Sequence, residues 1–322
     1  MDIYFYEAFR EETEALGRHL NPEIRAGFTP LTIQEAAHDV PPSPLVSIRT
    51  QSVIPASWTG RISGILTRST GYDHVKRFRR ETGCTAPAGY LPLYCASAVA
   101  EQALLLWMGL LRKLPAQVRQ LADFDRDGLT GGECLGRTLL VAGVGNIGRE
   151  IHRLGTALGM AVKGVDIVER HPEVEYVDIG TGLAQADVIA CAMSLGDENR
   201  GYFDYDRLKG AKPGALFVNI ARGELSPLED LLRLLDENRL SGVALDVYED
   251  EDRLAVSLRR GAAAENGKAR VLLELSRRGN VILTPHNAFN TREALERKAA
   301  QSAAQAQSFL ERGEFIWEVP AE

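Results

Sequence analysis

Short apolar runs alternate with helical patterns through the second half of the chain. The runs cover residues 138–144, 161–166, 187–192, 215–220, 243–247 and 281–283. Runs of this length that are rich in β-branched residues are typical of strands buried on both faces. We therefore expect an α/β domain built on a doubly wound parallel sheet. Ser226 is predicted to cap one connecting helix, with Pro227 at its first position and Glu229 completing a capping box.

The first hundred residues show a shorter version of the same pattern. Strands are predicted over 3–6, 45–49 and 62–68, and helices over 9–20 and 32–38. We expect residues 86–92 to form a loop and residues 96–114 to form one long apolar helix. An alanine-rich helix over 292–310 is expected to return to this part of the protein. One domain is therefore placed at residues 1–97 and 288–322, and a second at 98–287.

Composition supports two globular domains and excludes several kinds of partner. The chain has 322 residues, of which 45% are hydrophobic and 25% charged, so it can bury a sizeable core. A net charge of −7 without a long basic run gives no footprint for nucleic acid or an anionic membrane. The acidic N-terminal stretch differs from a signal peptide, and no run approaches the about 18 apolar residues of a transmembrane span.

The cysteines indicate a reducing compartment. Cys84, Cys95, Cys134 and Cys191 show no CxxC spacing. We interpret them as reduced thiols of a cytoplasmic protein and expect no metal site.

A glycine-rich segment carries the strongest local signal. Gly143-Val-Gly145-Asn146-Ile147-Gly148 follows an apolar run and opens a helical pattern, which is the setting that a dinucleotide fingerprint requires. The first glycine would make a tight turn, the second would admit the pyrophosphate, and the third would let helix and strand pack closely. Asp166 ends the next run, 18 residues after Gly148, where a carboxylate would receive the ribose hydroxyls of NAD. The alternative is a purely structural glycine turn.

Three polar residues follow three of the later runs. Arg222 comes after ALFVNI, Glu251 after ALDVY and a short acidic loop, and His286 after VILTP. Ligands of such sheets bind outside the carboxyl ends of the strands. Each residue also has a simpler interpretation: Arg222 as a surface ion-pair partner, Glu251 as part of a solvated acidic loop, and His286 as a helix cap.

Six segments together resemble the D-isomer-specific 2-hydroxyacid dehydrogenase family. They are TRSTGYDHV at 67–75, YCASAVAEQAL at 94–104, GVGNIG at 143–148, NIARGEL at 219–225, GVALDVYEDE at 242–251 and LTPHNAF at 283–289. The segments appear in the family's order, and their detail is most similar to the D-lactate dehydrogenase branch. The resemblance implies a Rossmann-type NAD-binding domain, a smaller flavodoxin-like βα substrate domain, and a homodimer. It also implies reduction of a small 2-keto acid to a D-2-hydroxy acid.

The resemblance also implies a role for each matching residue. Arg222 would hold the substrate carboxylate and polarise the keto oxygen, for which its planar fork is suited. His286 would protonate that oxygen, and Glu251 would orient the imidazole and favour its protonated form. The implied substrate-binding positions are the Thr70 and Gly71 amides and the side chains of Tyr94 and Phe289. The implied cofactor-binding positions are Gly143, Gly145, Asn146, Ile147, Gly148, Asp166, Ala221 and Asp246.

The chain departs from the family at Ala192-Met193-Ser194, where the family usually has a proline beside the nicotinamide. Two alternative functions stay open on the sequence alone. One is a non-catalytic NAD-sensing protein, and the other is a dehydrogenase of phosphite or another small anion on the same fold. Formate oxidation is disfavoured because Glu251 stands where formate enzymes usually have glutamine.

Overall fold

The structure is a computed structural model that describes residues 1–259, 261 and 267–320. It divides into two compact units. Met1–Cys95 and Asn290–Glu322 form the first unit, and Ala96–Phe289 forms the second. No helix of the described residues is long and apolar enough to cross a membrane.

The first unit is built on a five-stranded parallel sheet. Its elements are β1 (Ile3–Phe5), α1 (Arg10–His19), β2 (Ala26–Phe28), α2 (Ile33–Ala36), β3 (Leu45–Ile48), β4 (Gly64–Thr67), α3 (Asp73–Thr82) and β5 (Ala88–Gly89). The strand order β2-β1-β3-β4-β5 is the flavodoxin-like order. One face of the sheet packs a cluster that includes Tyr6, Val46, Trp58 and Ile65. The C-terminal helix, Arg292–Arg312, completes this unit by packing against α1.

The second unit is built on a seven-stranded parallel sheet. Its elements are α4 (Ala96–Leu111), α5 (Leu114–Gln120), β6 (Thr138–Ala142), α6 (Asn146–Ala157), β7 (Ala161–Val165), β8 (Glu175–Tyr176), α7 (Ile179–Gln185), β9 (Val188–Cys191), α8 (Tyr205–Leu208), β10 (Ala215–Asn219), α9 (Leu228–Asp236), β11 (Leu240–Leu245), α10 (Glu251–Arg259), α11 (Gly267–Ser276) and β12 (Val281–Leu283). The C-terminal helix of the first unit is accordingly α12. The order β12-β11-β10-β9-β6-β7-β8 reverses between β6 and β9, as in a Rossmann-type sheet. The predicted fold class is confirmed.

Three predictions about elements are wrong. Residues 86–92 are not entirely loop, because Ala88–Gly89 form β5 and pair with β4. Gly89 lets the Phe315 ring pack against β5, since a Cβ there would lie 2.5 Å from that ring. The predicted helix over 96–114 is two helices, because α4 ends at Leu111 and Lys113 adopts a left-handed backbone with φ of 53° before α5 begins.

The third wrong prediction concerns the start of α9. Ser226 does not cap this helix and no capping box forms, because Pro227 occupies the cap position without a side-chain hydrogen bond. The Ser226 hydroxyl is buried and instead accepts a hydrogen bond from Asn219 Nδ2 at 2.8 Å. Asn219 ends β10, so this serine holds the loop that follows that strand.

Candidate active site

The glycine loop lies between β6 and α6, at the point where the strand order of the second sheet reverses. Gly143 has a φ of 89°, which favours glycine, and a Cβ there would lie 2.6 Å from Met193 N. A Cβ on Gly148 would lie 1.9 Å from Gly143 O, so the helix packs directly on the loop. Gly145, by contrast, has nothing within 4 Å of an added Cβ. Two glycines are therefore required by packing, and the third borders open space.

This open space fits the phosphates of a dinucleotide. Gly145 is the N-cap of α6, a 12-residue helix whose first amides, at Asn146 and Ile147, lack partners within the helix. Such amides and the helix dipole favour an anion. The residues present therefore fit the cofactor that the glycine pattern predicts.

Asp166 stands directly after β7, the strand beside β6. Its Oδ2 accepts a hydrogen bond from Val144 N at 2.6 Å, and its Oδ1 accepts one from Val168 N at 3.1 Å. These bonds fix the carboxylate against the glycine loop. A carboxylate held there can accept hydrogen bonds from ribose hydroxyls.

Arg222 lies in a loop that Asn219 holds. Asn219 is fully buried, and its Oδ1 accepts from Ala221 N at 2.9 Å while its Nδ2 donates to Arg222 O at 2.8 Å. Arg222 donates one guanidinium bond to Ala221 O at 2.8 Å. A Cβ on the adjacent Gly223 would lie 1.8 Å from Tyr248 C, so this loop touches the segment after β11. Sequence analysis missed Asn219, although a polar residue at the end of a buried run was a usable signal.

Glu251 and His286 form a hydrogen-bonded pair. Nδ1 of His286 lies 2.8 Å from each carboxylate oxygen of Glu251. Their side chains are 18% and 17% exposed, so the pair is largely shielded from water. The two acids that precede Glu251 behave differently, because Lys268 Nζ lies 3.4 Å from Glu249 and 2.7 Å from Asp250. Glu251 is therefore not merely one member of a solvated acidic loop.

Asp246 holds the backbone that carries His286. Its Oδ1 accepts from Asn287 N at 2.9 Å, its Oδ2 accepts from Ala288 N at 2.8 Å, and Thr284 Oγ1 also donates to it. Burial raises the pKa of Asp246, and these hydrogen bonds oppose the rise. The sequence placed Asp246 among the cofactor residues, and the hydrogen bonds described here all serve the His286 loop.

The strand order explains why these residues share one edge. Because β10, β11 and β12 are neighbours and parallel, their carboxyl ends meet at the same edge of the sheet. Arg222 follows β10, Glu251 follows β11, and His286 follows β12. An imidazole that can act as acid or base, the carboxylate that orients it, and a guanidinium cation therefore lie at the same edge of the sheet.

Thr70 and Gly71 belong to the first unit, in the loop that follows β4. Thr70 Oγ1 donates to Leu91 O at 3.1 Å, and Ser69 Oγ donates to Gly71 O at 2.7 Å. Thr67 Oγ1 lies 2.7 Å from Ser69 Oγ and 2.9 Å from His74 Nε2. A buried chain of hydroxyls ending on a histidine thus sets the shape of this loop.

Tyr94 is also in the first unit and is 4% exposed. Burial raises the pKa of its hydroxyl well above 10, with the neighbouring Cys95 adding to the rise. The phenol therefore stays protonated over the physiological range and can donate a hydrogen bond. Phe289, at the end of the second unit, is 7% exposed.

Ala192 and Met193 lie beside Gly143, and they belong to the segment Ala192-Met193-Ser194, where the chain lacks the family's usual proline. Met193 N approaches the glycine closely, and the Met193 side chain packs on the core of the second unit. Cys191, one residue before this segment, is fully buried, and burial raises the pKa of its thiol to about 12. Among the described residues, no cluster of three or more His, Cys, Asp or Glu side chains could hold a metal ion.

A nucleotide-type glycine loop at the switch point of a parallel sheet, with a histidine–carboxylate pair and an arginine at neighbouring strand ends, defines a nicotinamide-dependent dehydrogenase. The sequence comparisons specify which kind. Residues 104–288 match the family described as D-isomer specific 2-hydroxyacid dehydrogenase, NAD binding domain. The chain therefore belongs to the D-isomer-specific 2-hydroxyacid dehydrogenase family and is an NAD-dependent oxidoreductase of 2-hydroxy acids.

Curated relatives and solved structures agree with this family. The chain is 34% identical over 230 residues to a D-lactate dehydrogenase of Lactiplantibacillus plantarum, covering 69% of this chain and 68% of that one. It is 32% identical over 230 residues to a D-lactate dehydrogenase of Escherichia coli, covering 70% and 69%. The structure is similar to that of a D-lactate dehydrogenase from Aquifex aeolicus complexed with NAD and lactic acid, with a TM-score of 0.84, 25% identity, and coverage of 99% and 100%.

Proposed function

We propose that this enzyme uses NADH to reduce a small 2-keto acid, of pyruvate size or slightly larger, to the D-2-hydroxy acid. The observation that carries the proposal is the His286–Glu251 pair, 2.8 Å apart, at the sheet edge that also presents Arg222. That edge belongs to the unit that matches the family's NAD-binding domain. The names of the relatives support lactate-sized substrates.

In this proposal each member of the edge has one task. Arg222 binds the substrate carboxylate and polarises the keto oxygen, because its planar guanidinium can donate two parallel hydrogen bonds. Glu251 engages Nδ1 of His286, which leaves Nε2 as the nitrogen that delivers a proton to the keto oxygen. The same contact fixes the orientation of the imidazole ring for that transfer. The bound cofactor supplies the hydride.

The cofactor residues are assigned on the same basis. Gly145, Asn146 and Ile147 would face the pyrophosphate at the start of α6, while Gly143 and Gly148 keep the loop tight. Asp166 would accept hydrogen bonds from the ribose and would repel a 2′-phosphate, which favours NAD over NADP. Ala221 and Asp246 are proposed to border the cofactor near the nicotinamide end.

The first unit is proposed to supply further substrate contacts. Thr70 and Gly71 would donate backbone hydrogen bonds to the carboxylate, and the protonated Tyr94 hydroxyl would donate one more. The rings of Tyr94 and Phe289 would limit the length of the substrate side chain. Residues 1–97 and 288–322 then act as the substrate domain, and residues 98–287 as the NAD-binding domain.

We further propose that the enzyme is a cytoplasmic homodimer that pairs through its second unit. That unit exposes large apolar side chains, each at least 45% accessible, along α4, α5 and the segment that follows. They are Leu105, Leu114, Val118, Leu121, Phe124 and Leu135. Exposed apolar groups on consecutive elements favour association. The four cysteines are buried free thiols, as a reducing compartment requires of a protein without disulfides.

The function is tested by a steady-state screen with NADH or NADPH against pyruvate, 2-ketobutyrate, hydroxypyruvate, glyoxylate and phenylpyruvate, followed by chiral analysis of each product. We expect NADH-dependent reduction of the smaller acids to D products. A strong preference for phenylpyruvate would overturn the size limit, and an L product would overturn the proposed stereochemistry. No turnover of any keto acid, together with NAD reduction by phosphite, would overturn the proposed reaction.

A further inference from the structure

Two consecutive basic residues of α12 lie against Tyr94. Arg297 Nε donates to the carbonyl oxygen of Tyr94 at 2.9 Å, and Lys298 Nζ lies 6.0 Å from the centroid of the Tyr94 ring. The Arg297 hydrogen bond fixes the backbone of Tyr94, and Lys298 places an ammonium over the Tyr94 ring. A cation at this distance is attracted to the face of an aromatic ring, and this attraction is stronger where water is excluded.

Lys298 is itself held in place by a buried ion cluster. Its Nζ lies 2.6 Å from Glu12 Oε1, and the same oxygen accepts from Arg68 Nε at 2.8 Å. The side chains of Lys298 and Arg68 are inaccessible, and that of Glu12 is 1% exposed. Arg68 also donates to Ser47 Oγ at 2.9 Å and to Tyr6 O at 2.7 Å. The ammonium is therefore anchored to both α1 and the sheet.

This cluster is a costly way to fill the interior. Burial lowers the pKa of Lys298, the cations Arg49 and Arg68 reinforce that change, and Glu12, 2.6 Å away, opposes it and so favours the charged ammonium. Replacing a buried ionic cluster by packed apolar residues is often neutral or stabilising. Stability alone therefore does not explain why a lysine occupies this position.

The cluster also adjoins the loop of Thr70. Arg68 lies two residues before Thr70, and its backbone N donates to Ile48 O at 2.8 Å. Thr70 Oγ1 donates to Leu91 O and lies 3.4 Å from Sγ of Cys95, the residue after Tyr94. Thus one anion, Glu12, connects the cation before Thr70 with the cation over Tyr94.

We infer that Lys298 is a positioning residue for Tyr94: its ammonium, fixed by Glu12, holds the aromatic ring in the orientation that binds the 2-keto acid. Lys298 does not touch the substrate in this arrangement. The inference rests on the proposed function, because it assumes that Tyr94 is a substrate-binding residue.

The main test is the variant Lys298→Gln. Glutamine can still donate to Glu12, and the Glu12–Arg68 pair that remains is electrically balanced, so the unit should keep its fold. We expect the KM for the keto acid to rise about tenfold, as the loss of a desolvated cation–π contact implies. We expect kcat to change less than twofold and the Kd of NADH, measured by fluorescence, to stay constant. Lys298→Met should act in the same direction, and Lys298→Arg should recover part of the loss.

A double-mutant cycle separates positioning from a general weakening of the unit. In a Tyr94→Leu background, Lys298→Gln should cause no further rise in KM, since the ring through which it acts is gone. The matched control is Gln305→Met on the same helix. Gln305 is fully buried and ties Tyr90 O and Ile316 N to α12, so its loss should lower stability without changing KM. An independent rise in KM in the Tyr94→Leu background, or an equal rise in Gln305→Met, would refute the inference.

An NMR measurement of the Tyr94 ring tests the inference without depending on whether the proposed reaction occurs. With tyrosine labelled at 13Cζ, the Tyr94 resonance is assigned by its loss in Tyr94→Phe, and it should shift in Lys298→Gln but not in Gln305→Met. An unmoved resonance would overturn the inference whatever the activity. Wild-type protein that reduces no keto acid would overturn the proposed function, and with it the role of Lys298 in binding.

Discussion

His286 holds a backbone conformation that most residues avoid. Its φ is 51°, in the left-handed region that residues other than glycine rarely adopt. Such a backbone conformation costs about 1–3 kcal/mol of folding free energy. The surrounding structure enforces it, because Asp246 accepts hydrogen bonds from the backbone N–H groups of Asn287 and Ala288. The strained backbone therefore lowers stability slightly, and it places the imidazole at the sheet edge that also carries Arg222.

Replacing His286 should remove turnover and spare cofactor binding. His286→Asn is the better variant, since asparagine tolerates the left-handed backbone but cannot serve as the acid. A positioned acid typically contributes about 10²–10⁴-fold, so kcat for keto-acid reduction should fall by that factor. The Kd of NADH, measured by fluorescence, should stay within twofold. Retention of most activity at neutral pH would show that another group donates the proton.

Glu251→Gln should lower kcat for keto-acid reduction. Glutamine can still engage Nδ1 of His286, but it replaces a charge-assisted hydrogen bond by a neutral one of about half the strength, so the imidazole is held less firmly towards the keto oxygen. We expect kcat to fall about tenfold, while the Kd of NADH stays within twofold. The control is Glu249→Gln, which should keep the parent kcat because Glu249 pairs with Lys268 instead. An unchanged kcat in Glu251→Gln would remove the carboxylate from the mechanism.

Asp166→Ser should narrow the discrimination between the two nicotinamide cofactors. The carboxylate would repel a 2′-phosphate, whereas a serine hydroxyl can still accept a hydrogen bond from the ribose. We expect kcat/KM with NADPH to rise relative to that with NADH. The measurement is the ratio of the two values before and after substitution. A parent enzyme that already prefers NADPH would contradict the role given to Asp166.

Local sequence signals predicted some of these residues and missed the contacts that lie far apart in the chain. Gly143, Gly148 and Asp166 lie within one βαβ stretch, so their spacing in the sequence is enough to predict that they lie close together. The bond between Arg68 and Glu12 joins residues 56 positions apart, and no periodicity links them. The cap predicted at Ser226 is wrong for a different, local reason: this serine accepts a hydrogen bond from Asn219, seven residues before it at the end of β10, and Pro227 takes the cap position of α9.

Among the elements, predictability follows burial and length. The strands β6, β9, β10 and β11 are apolar and largely buried, so each produced a recognisable run. The edge strands β2 and β8 have only three and two residues, none of them buried, and they left no such run. These short strands form only because they pair with β1 and β7, and the pattern of apolar residues along the sequence does not show such pairing.

The junction of β6 and α6 yields a prediction about an element. In Gly148→Ala the new Cβ would lie 1.9 Å from Gly143 O, so α6 must move away from the loop. Overpacking of this kind typically costs about 1–3 kcal/mol, and the displaced helix should bind NADH at least tenfold more weakly, about 1.4 kcal/mol. Urea unfolding and NADH fluorescence measure the two effects.

Gly145→Ala is the matched control for that substitution. Its Cβ would meet nothing within 4 Å, so the free energy of unfolding should be unchanged. Only NADH binding should weaken, since the methyl group would occupy the space proposed for the pyrophosphate. A large loss of stability in Gly145→Ala, or none in Gly148→Ala, would contradict the assignment of these two glycines.

At the scale of the whole molecule, the cofactor should stabilise one unit directly. A ligand that binds only the folded state adds RT ln(1 + [L]/Kd), about 2.7 kcal/mol at a hundredfold excess over Kd. For a domain of this size each kcal/mol raises Tm by about 2–4 °C, so saturating NADH should raise Tm by about 5–10 °C. Hydrogen exchange should locate the effect: amides of β6, α6 and β7 should gain protection, whereas those of β1 and β3 in the first unit should gain less. At the same NADH concentration, the tenfold weaker binding in Gly148→Ala leaves about 1.4 kcal/mol, so its thermal shift should fall to about half or less and its protection should decrease. Equal protection of both sheets, or an undiminished thermal shift in Gly148→Ala, would place the cofactor somewhere other than the glycine loop.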